Sequence, residues 1–135
     1  MAGAIAGTIF EDSSCSILAR IVNGANELIE QADISTIHRD SWDISTTPPT
    51  RKAGPTSLTV ANVIFNTLQT GGAWVEDSEG YNFLDLIPAS AMPATTLAQW
   101  PLQKAARIEY KVVLTSGEYF KVIAEPKVLP SLYGK

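Results

Sequence analysis

From Ala105 to Glu125 apolar and polar side chains alternate with few breaks around one tight turn. In ARIEYKVVLT, Ile108, Tyr110, Val112 and Leu114 fall on one parity, and Arg107, Glu109, Lys111 and Val113 on the other. A period of two marks a strand with one buried face; a helix would repeat about every 3.6 residues. TSGE follows, with Gly117 placed for a tight turn. In EYFKVIAE, Phe120, Val122 and Ala124 again share a parity. The segment predicts a β-hairpin whose apolar face must be covered by a second layer. Pro126 and Pro130 are expected to end the second strand and leave an extended tail.

Shorter strands are predicted upstream. Ser16–Val22 is rich in β-formers and is punctuated by Asn23-Gly24. Ile34–Ile44 predicts a long strand with Ile34, His38, Trp42 and Ile44 on one face. Leu58–Leu68, with β-branched Thr59, Val60, Val63 and Ile64, predicts another, and Tyr81–Ile87 one more. A short helical piece is read, on a weak signal, around Glu27–Ala32. Short strands between Pro- and Gly-rich turns predict an all-β fold, an immunoglobulin-like β-sandwich of about seven or eight strands.

The chain has 135 residues, the size of one domain. Thr46–Ser57, TTPPTRKAGPTS, carries three prolines and a glycine, which argue against a regular ladder and predict a long loop or an arm. Pro88–Pro101 has three prolines as well and is read as irregular. The expected organisation is one domain over residues 1–135, with an N-terminal arm (1–13), a Pro-rich loop (46–57) and a C-terminal tail (126–135). Charged residues make up 18%, below the roughly 25% of an average soluble domain, so other chains are expected to cover part of the surface. Residues 1–43 hold seven acids and two bases, and residues 104–135 six bases and three acids. That asymmetry suits head-to-tail contact between copies, although a short chain can acquire it by chance.

Composition also narrows the chemistry. A net charge of −4 disfavours a nucleic-acid partner. One cysteine, Cys15, and one histidine, His38, allow no internal disulfide and no ordinary Cys/His zinc set. MAGAIAGTIF lacks a basic start and is broken by Gly3 and Gly7, so no signal peptide is expected, and no apolar run has membrane-spanning length. No cofactor-binding fingerprint occurs: P-loop, Gly-x-Gly-x-x-Gly and Gly-x-Ser-x-Gly are all missing.

The acidic stretch WVEDSEGYNF (74–83) has three readings. A calcium loop needs about six oxygen ligands, more than Asp77, Glu79 and Asn82 supply. A carboxylate pair for glycoside hydrolysis must face across a gap of about 5–10 Å, whereas neighbours in a turn splay apart. Asp77-Ser78-Glu79-Gly80 fits a hairpin turn best, with Asp bonding nearby backbone and Gly accepting positive φ. Trp42 and Trp74 are expected in the core. Trp100, beside Pro101, is the candidate exposed anchor, or with Tyr81 a sugar-stacking platform.

Between Thr67 and Val122 the pattern TLQTGGAWVEDSEGYNF, IPASAMP and ARIEYKVVLTSGEYFKV resembles small β-sandwich proteins of tailed bacteriophages and prophages. QADIST (31–36) is similar to the start of phage baseplate immunoglobulin-like domains. The resemblance implies a non-enzymatic structural role in a virion, as a capsid decoration or a neck, tail or baseplate accessory made in the host cytoplasm. It carries over no catalytic residue, metal or cofactor. Partners would be other virion subunits or further copies of the chain. The residues expected at such interfaces are Ile5, Ile9 and Phe10 in the N-terminal arm, Pro48, Pro49 and Arg51 in the Pro-rich loop, Trp100, and Val128, Leu129 and Tyr133 in the tail. The alternative is a carbohydrate-binding β-sandwich module.

Overall fold

The computed structural model describes residues 5–10, 15–70, 74, 77–91 and 104–129. Eight strands are found among them: β1 (Ile5–Phe10), β2 (Cys15–Ala19), β3 (Ile34–Asp43), β4 (Thr50–Leu58), β5 (Ile64–Gln69), β6 (Tyr81–Ile87), β7 (Lys104–Leu114) and β8 (Tyr119–Leu129). A single helical turn, α1 (Val60–Val63), and two 3₁₀ turns (Gln31–Asp33 and Ala89–Ala91) complete the regular structure. The strands form two sheets, ordered β1-β8-β7-β3-β4 and β2-β6-β5. Every pairing is antiparallel except that of β1 with β8.

The alternating segment forms the β7–β8 hairpin, with Tyr110 opposite Val122 and Val112 opposite Phe120. Its inward parity, Ile108, Tyr110, Val112, Val122 and Ala124, is wholly buried. These side chains meet Ile17, Ile64, Phe83 and Ile87 of the smaller sheet and Ile37 of β3 in one core. The Phe83 and Tyr110 rings meet edge-on at 4.9 Å across the layers. Each large apolar side chain buried in this way contributes about 1.5–3 kcal/mol, and together they hold the sheets face to face.

Five sequence expectations are corrected. The buried parity of β3 is Ile37, Arg39, Ser41 and Asp43, while His38, Trp42 and Ile44 are half-buried on the opposite side. An irregularity between Ile34 and Thr36 shifts the register, so buried Ile34 does not continue the outer row. The Pro-rich stretch is no free arm either: residues 50–58 form β4, paired with β3. Gly54, at φ 112°, lies where the register shifts between Arg39 and Ser41, and β4 is outermost, so Pro55 sits at a bulge on an edge, where a missing N–H is tolerated.

Leu58–Leu68 is likewise not one strand. β4 and β5 belong to different sheets, and α1 carries the chain between them, closed by Asn62 N–H donating to the Thr59 carbonyl at 3.0 Å. Pro126 does not end β8: it is buried opposite Gly7 of β1, a neighbour with no side chain, and pairing with β7 resumes beyond it at Lys127 and Val128. Finally, Ile5–Phe10 of the expected N-terminal arm pairs with Ala124–Leu129 of its own chain. Residues 92–101 of the second Pro-rich region and 130–135 of the tail lie outside the described residues.

Gly80 opens β6 at φ 111°, and a Cβ there would stand 2.1 Å from the Gln69 carbonyl oxygen. Gly117, at φ 94°, has open space around it. Urea unfolding is expected to show Gly80→Ala destabilising the fold by about 2–3 kcal/mol and Gly117→Ala by only about 1 kcal/mol. Equal losses would contradict the close approach of β5 to residue 80.

Candidate functional site

Of the acidic stretch, Trp74 and residues 77–80 lie between β5 and β6, whose pairing closes at Gln69 and Tyr81. Asp77 organises this connection. One carboxylate oxygen accepts the backbone N–H groups of Glu79 (2.9 Å) and Gly80 (3.1 Å) and the indole N–H of Trp74 (3.1 Å). The other receives Arg20 Nη2 at 2.7 Å. Arg20 also donates to the Gly80 carbonyl at 3.1 Å and approaches Glu79 Oε2 at 3.4 Å. The Arg20 hydrogen bond, followed by that of the Gly80 N–H, holds the Asp77 carboxyl well below the usual carboxylate range. Asp77 is therefore a fixed anion that ties this loop to the segment following β2, and is poorly suited to carry a proton.

Between the sheets lies a polar cluster that sequence reasoning missed. Asp85 of β6 projects into the core and meets Arg39 Nη1 of β3 at 2.6 Å. The same oxygen accepts the Tyr110 hydroxyl of β7 at 2.7 Å. Arg39 and Asp85 are 8% and 6% exposed, and Tyr110 is fully buried, so this ion pair is shielded from solvent. Burial first, then the Asp85 charge, pushes the Tyr110 phenol far above its ordinary range. The same two causes push the Cys15 thiol up, so the buried sulfur stays protonated, the opposite of what a nucleophile needs.

A second buried polar residue, Asn82, anchors the loop after β2. Its amide oxygen accepts the Ile21 N–H at 2.7 Å, and its nitrogen donates to the carbonyls of Ile21 (3.0 Å) and Ile29 (3.1 Å). A polar residue at a buried position is recognisable only once the faces of its strand are known, and Asn82 lies on the face of β6 opposite that of Phe83 and Asp85.

The exposed candidates collect on the β3–β4 hairpin. Asp43 accepts the Ser45 N–H at 3.0 Å and the Ser45 hydroxyl, while Thr46 Oγ1 bonds the carbonyls of Asp43 (3.2 Å) and Pro48 (2.9 Å). This tied turn presents Pro48 and Pro49 to solvent. Arg51 is the cross-strand partner of Trp42, and its guanidinium lies 4.8 Å from the indole centre. Its Nε is 3.5 Å from Asp40 Oδ1. On the other side of β3, Arg107 and Glu109 rise from β7, joined at 2.8 Å. Trp42, Ile44, Pro49, Arg107 and Glu109 line an open, shallow cleft of about 320 Å³.

Of the residues expected at interfaces, the structure brings together Pro48, Pro49 and Arg51. Ile5, Ile9 and Phe10 lie on β1, and Val128 and Leu129 on the end of β8 beside it. Trp100 and Tyr133 lie outside the described residues. Trp42 and Trp74 are half-buried rather than core. Tyr81, read as a sugar platform, is engaged by Phe65 (6.0 Å) and Trp74 (5.7 Å). His38 shares the outer face of β3 with Trp42, opposite Lys111 and Ser57. No cluster of His, Cys, Asp and Glu suited to a metal ion occurs among the described residues.

Comparison with known proteins returns nothing: no family model, curated protein or solved structure matches the chain.

Two measurements test these assignments. Asp85→Ala leaves Arg39 charged and unpaired between the sheets, and is expected to cost about 3–5 kcal/mol in urea unfolding, against about 1.5–3 kcal/mol for Tyr110→Phe. For Asp77, a folded-state pKa below the unfolded value means that its contribution is complete above the unfolded pKa and fades as the pH falls toward the folded one. The melting-temperature gap between the native chain and Asp77→Asn should thus be constant near neutrality and narrow below about pH 4.

Proposed function

We propose that the chain is a non-enzymatic structural subunit of a tailed-phage particle, an immunoglobulin-like β-sandwich that packs against neighbouring subunits or further copies of itself. The observation that carries this reading is the β3–β4 hairpin. It places Pro48, Pro49 and Arg51 together on an exposed surface and fixes them with a hydrogen-bonded turn and a cation–π contact. Rigid, preordered side chains lose little entropy on association, which suits a contact repeated many times in a lattice. Along β4, Arg51, Lys52, Gly54 and Pro55 face solvent. Charge, proline and a bulge on an outermost strand suppress indiscriminate strand addition and favour recognition through side chains.

Two carboxylates with the most developed surroundings support the same reading. Asp77 spends its lone pairs on a loop and Asp85 on an internal ion pair. The particle itself is suggested by the resemblance of Thr67–Val122 to phage β-sandwich proteins, with synthesis in the host cytoplasm and residence in the virion.

Deleting residues 46–57 would remove most of an edge strand, so the test uses substitutions. Pro49→Ser combined with Arg51→Gln should lower the melting temperature by no more than about 8 °C, the loss of one surface cation–π contact and one half-exposed ion pair. The same variant should lose co-sedimentation with particles assembled in its presence. Full incorporation of the folded variant would rule out the hairpin as the attachment surface.

A further inference from the structure

We propose that the cleft beside Trp42 binds a neutral saccharide, with one sugar ring stacked on the indole and its hydroxyl groups bonded to Arg107 and Glu109. This inference stands apart from the structural-subunit reading, since it concerns a small ligand held by Trp42, Arg107 and Glu109, with Pro49 bordering both surfaces. Trp42 is half-buried on the outer face of β3, between β7 and the edge strand β4. Arg51 approaches its ring from the β4 side, and Arg107 and Glu109 stand on the β7 side. The indole is braced by one cation and fronts a cleft on the other side of the strand. Ile44 and Pro49 extend the apolar wall. A volume of about 320 Å³ lies at the lower end of small-molecule clefts and suits one or two sugar rings.

The polar wall selects the ligand class. Arg107 Nε donates to Glu109 Oε2 at 2.8 Å, Lys121 Nζ reaches Glu109 Oε1 at 3.3 Å, and Arg107 Nη1 lies 3.8 Å from Glu125. With Arg51 facing Asp40 at 3.5 Å, the three cations nearest the cleft, Arg51, Arg107 and Lys121, are each matched by a carboxylate, which weakens the local attraction for a charged ligand. What remains is a donor, the guanidinium, beside an acceptor, the carboxylate. Neighbouring sugar hydroxyls, each able to donate and accept, complement that pair. The C–H face of a pyranose complements the electron-rich face of the indole. A nucleotide or a sulfated glycan would need uncompensated cations lining the cleft; Lys111, a cation of this face without a carboxylate partner among the described residues, lies one outward position beyond Glu109 and is held over the Tyr119 ring.

The test titrates the full chain with soluble neutral oligosaccharides built from glucose, galactose, mannose or N-acetylglucosamine. Calorimetry at low and high salt measures binding, and amide chemical shifts locate it. Saturable binding of at least one of these, insensitive to salt and with shifts centred on residues 42–49 and 107–109, is expected. Trp42→Ala should weaken that binding by at least about tenfold; Glu109→Gln should weaken it several-fold, with circular dichroism confirming the fold. Should Trp42→Ala fail to fold, Glu109→Gln and the shift map decide the matter. Absence of binding by every neutral oligosaccharide at millimolar concentration would overturn the proposal. Undiminished binding by folded Trp42→Ala, or a salt-sensitive preference for sulfated or uronic saccharides, would do the same.

Discussion

A carboxylate placed between two sheets demands a partner, and the architecture is organised around that demand. Asp85 enters the core from the smaller sheet, and its charge is met by Arg39 and the Tyr110 hydroxyl of the larger one. Removing an ion pair from water is expensive, and mutual attraction offsets the loss only when the geometry is good and the remaining hydrogen-bonding capacity is used. Here a single oxygen receives two short bonds from adjacent strands. The network acts as a register device. A one-residue slip of β3 would turn Arg39 to the outer face and leave Asp85 in the core without its counter-charge. Apolar contacts hold the layers together without direction; this cluster specifies how they are aligned.

The outer surface follows from the same alignment. Because Ile37, Arg39, Ser41 and Asp43 point inward, His38, Asp40 and Trp42 point outward. Trp42 is thereby placed between Arg51 on one neighbouring strand and Arg107 on the other. The buried ion pair and the open aromatic cleft occupy opposite faces of one strand. At the far side of the smaller sheet, Asp77 and Asn82 do comparable work with different means. One anchors a loop through an exposed ion pair and backbone N–H groups, the other through a buried amide satisfied by three backbone bonds.

The β7–β8 hairpin was legible because its signal is local: period two, a turn glycine and a consistent apolar parity. The turn chemistry of Asp77 and Gly80 was legible for the same reason, since both act within a few residues. β3 misled because three of its inward residues are polar. Ranking faces by hydrophobicity selects Ile34, His38, Trp42 and Ile44, and the compensating partners of Arg39 lie on β6, far away in sequence. Proline content misled twice. Pro55 is tolerated at a bulged outermost position and Pro126 opposite a glycine, and neither circumstance can be read from the proline's own neighbourhood.

Taken alone, the sequence determined that this chain is built from strands, where its strongest hairpin turns, and that its acidic loop is a connection. Those properties depend on side-chain alternation and on the torsional preferences of a few residues. Only the tertiary structure decided which face of β3 is inside, that the N-terminal strand closes its own sheet, and that Trp42, Pro49, Arg107 and Glu109 share a cleft. Those outcomes depend on charge pairing and strand order between residues far apart in the chain, and such interactions leave no periodic trace in the residues that make them.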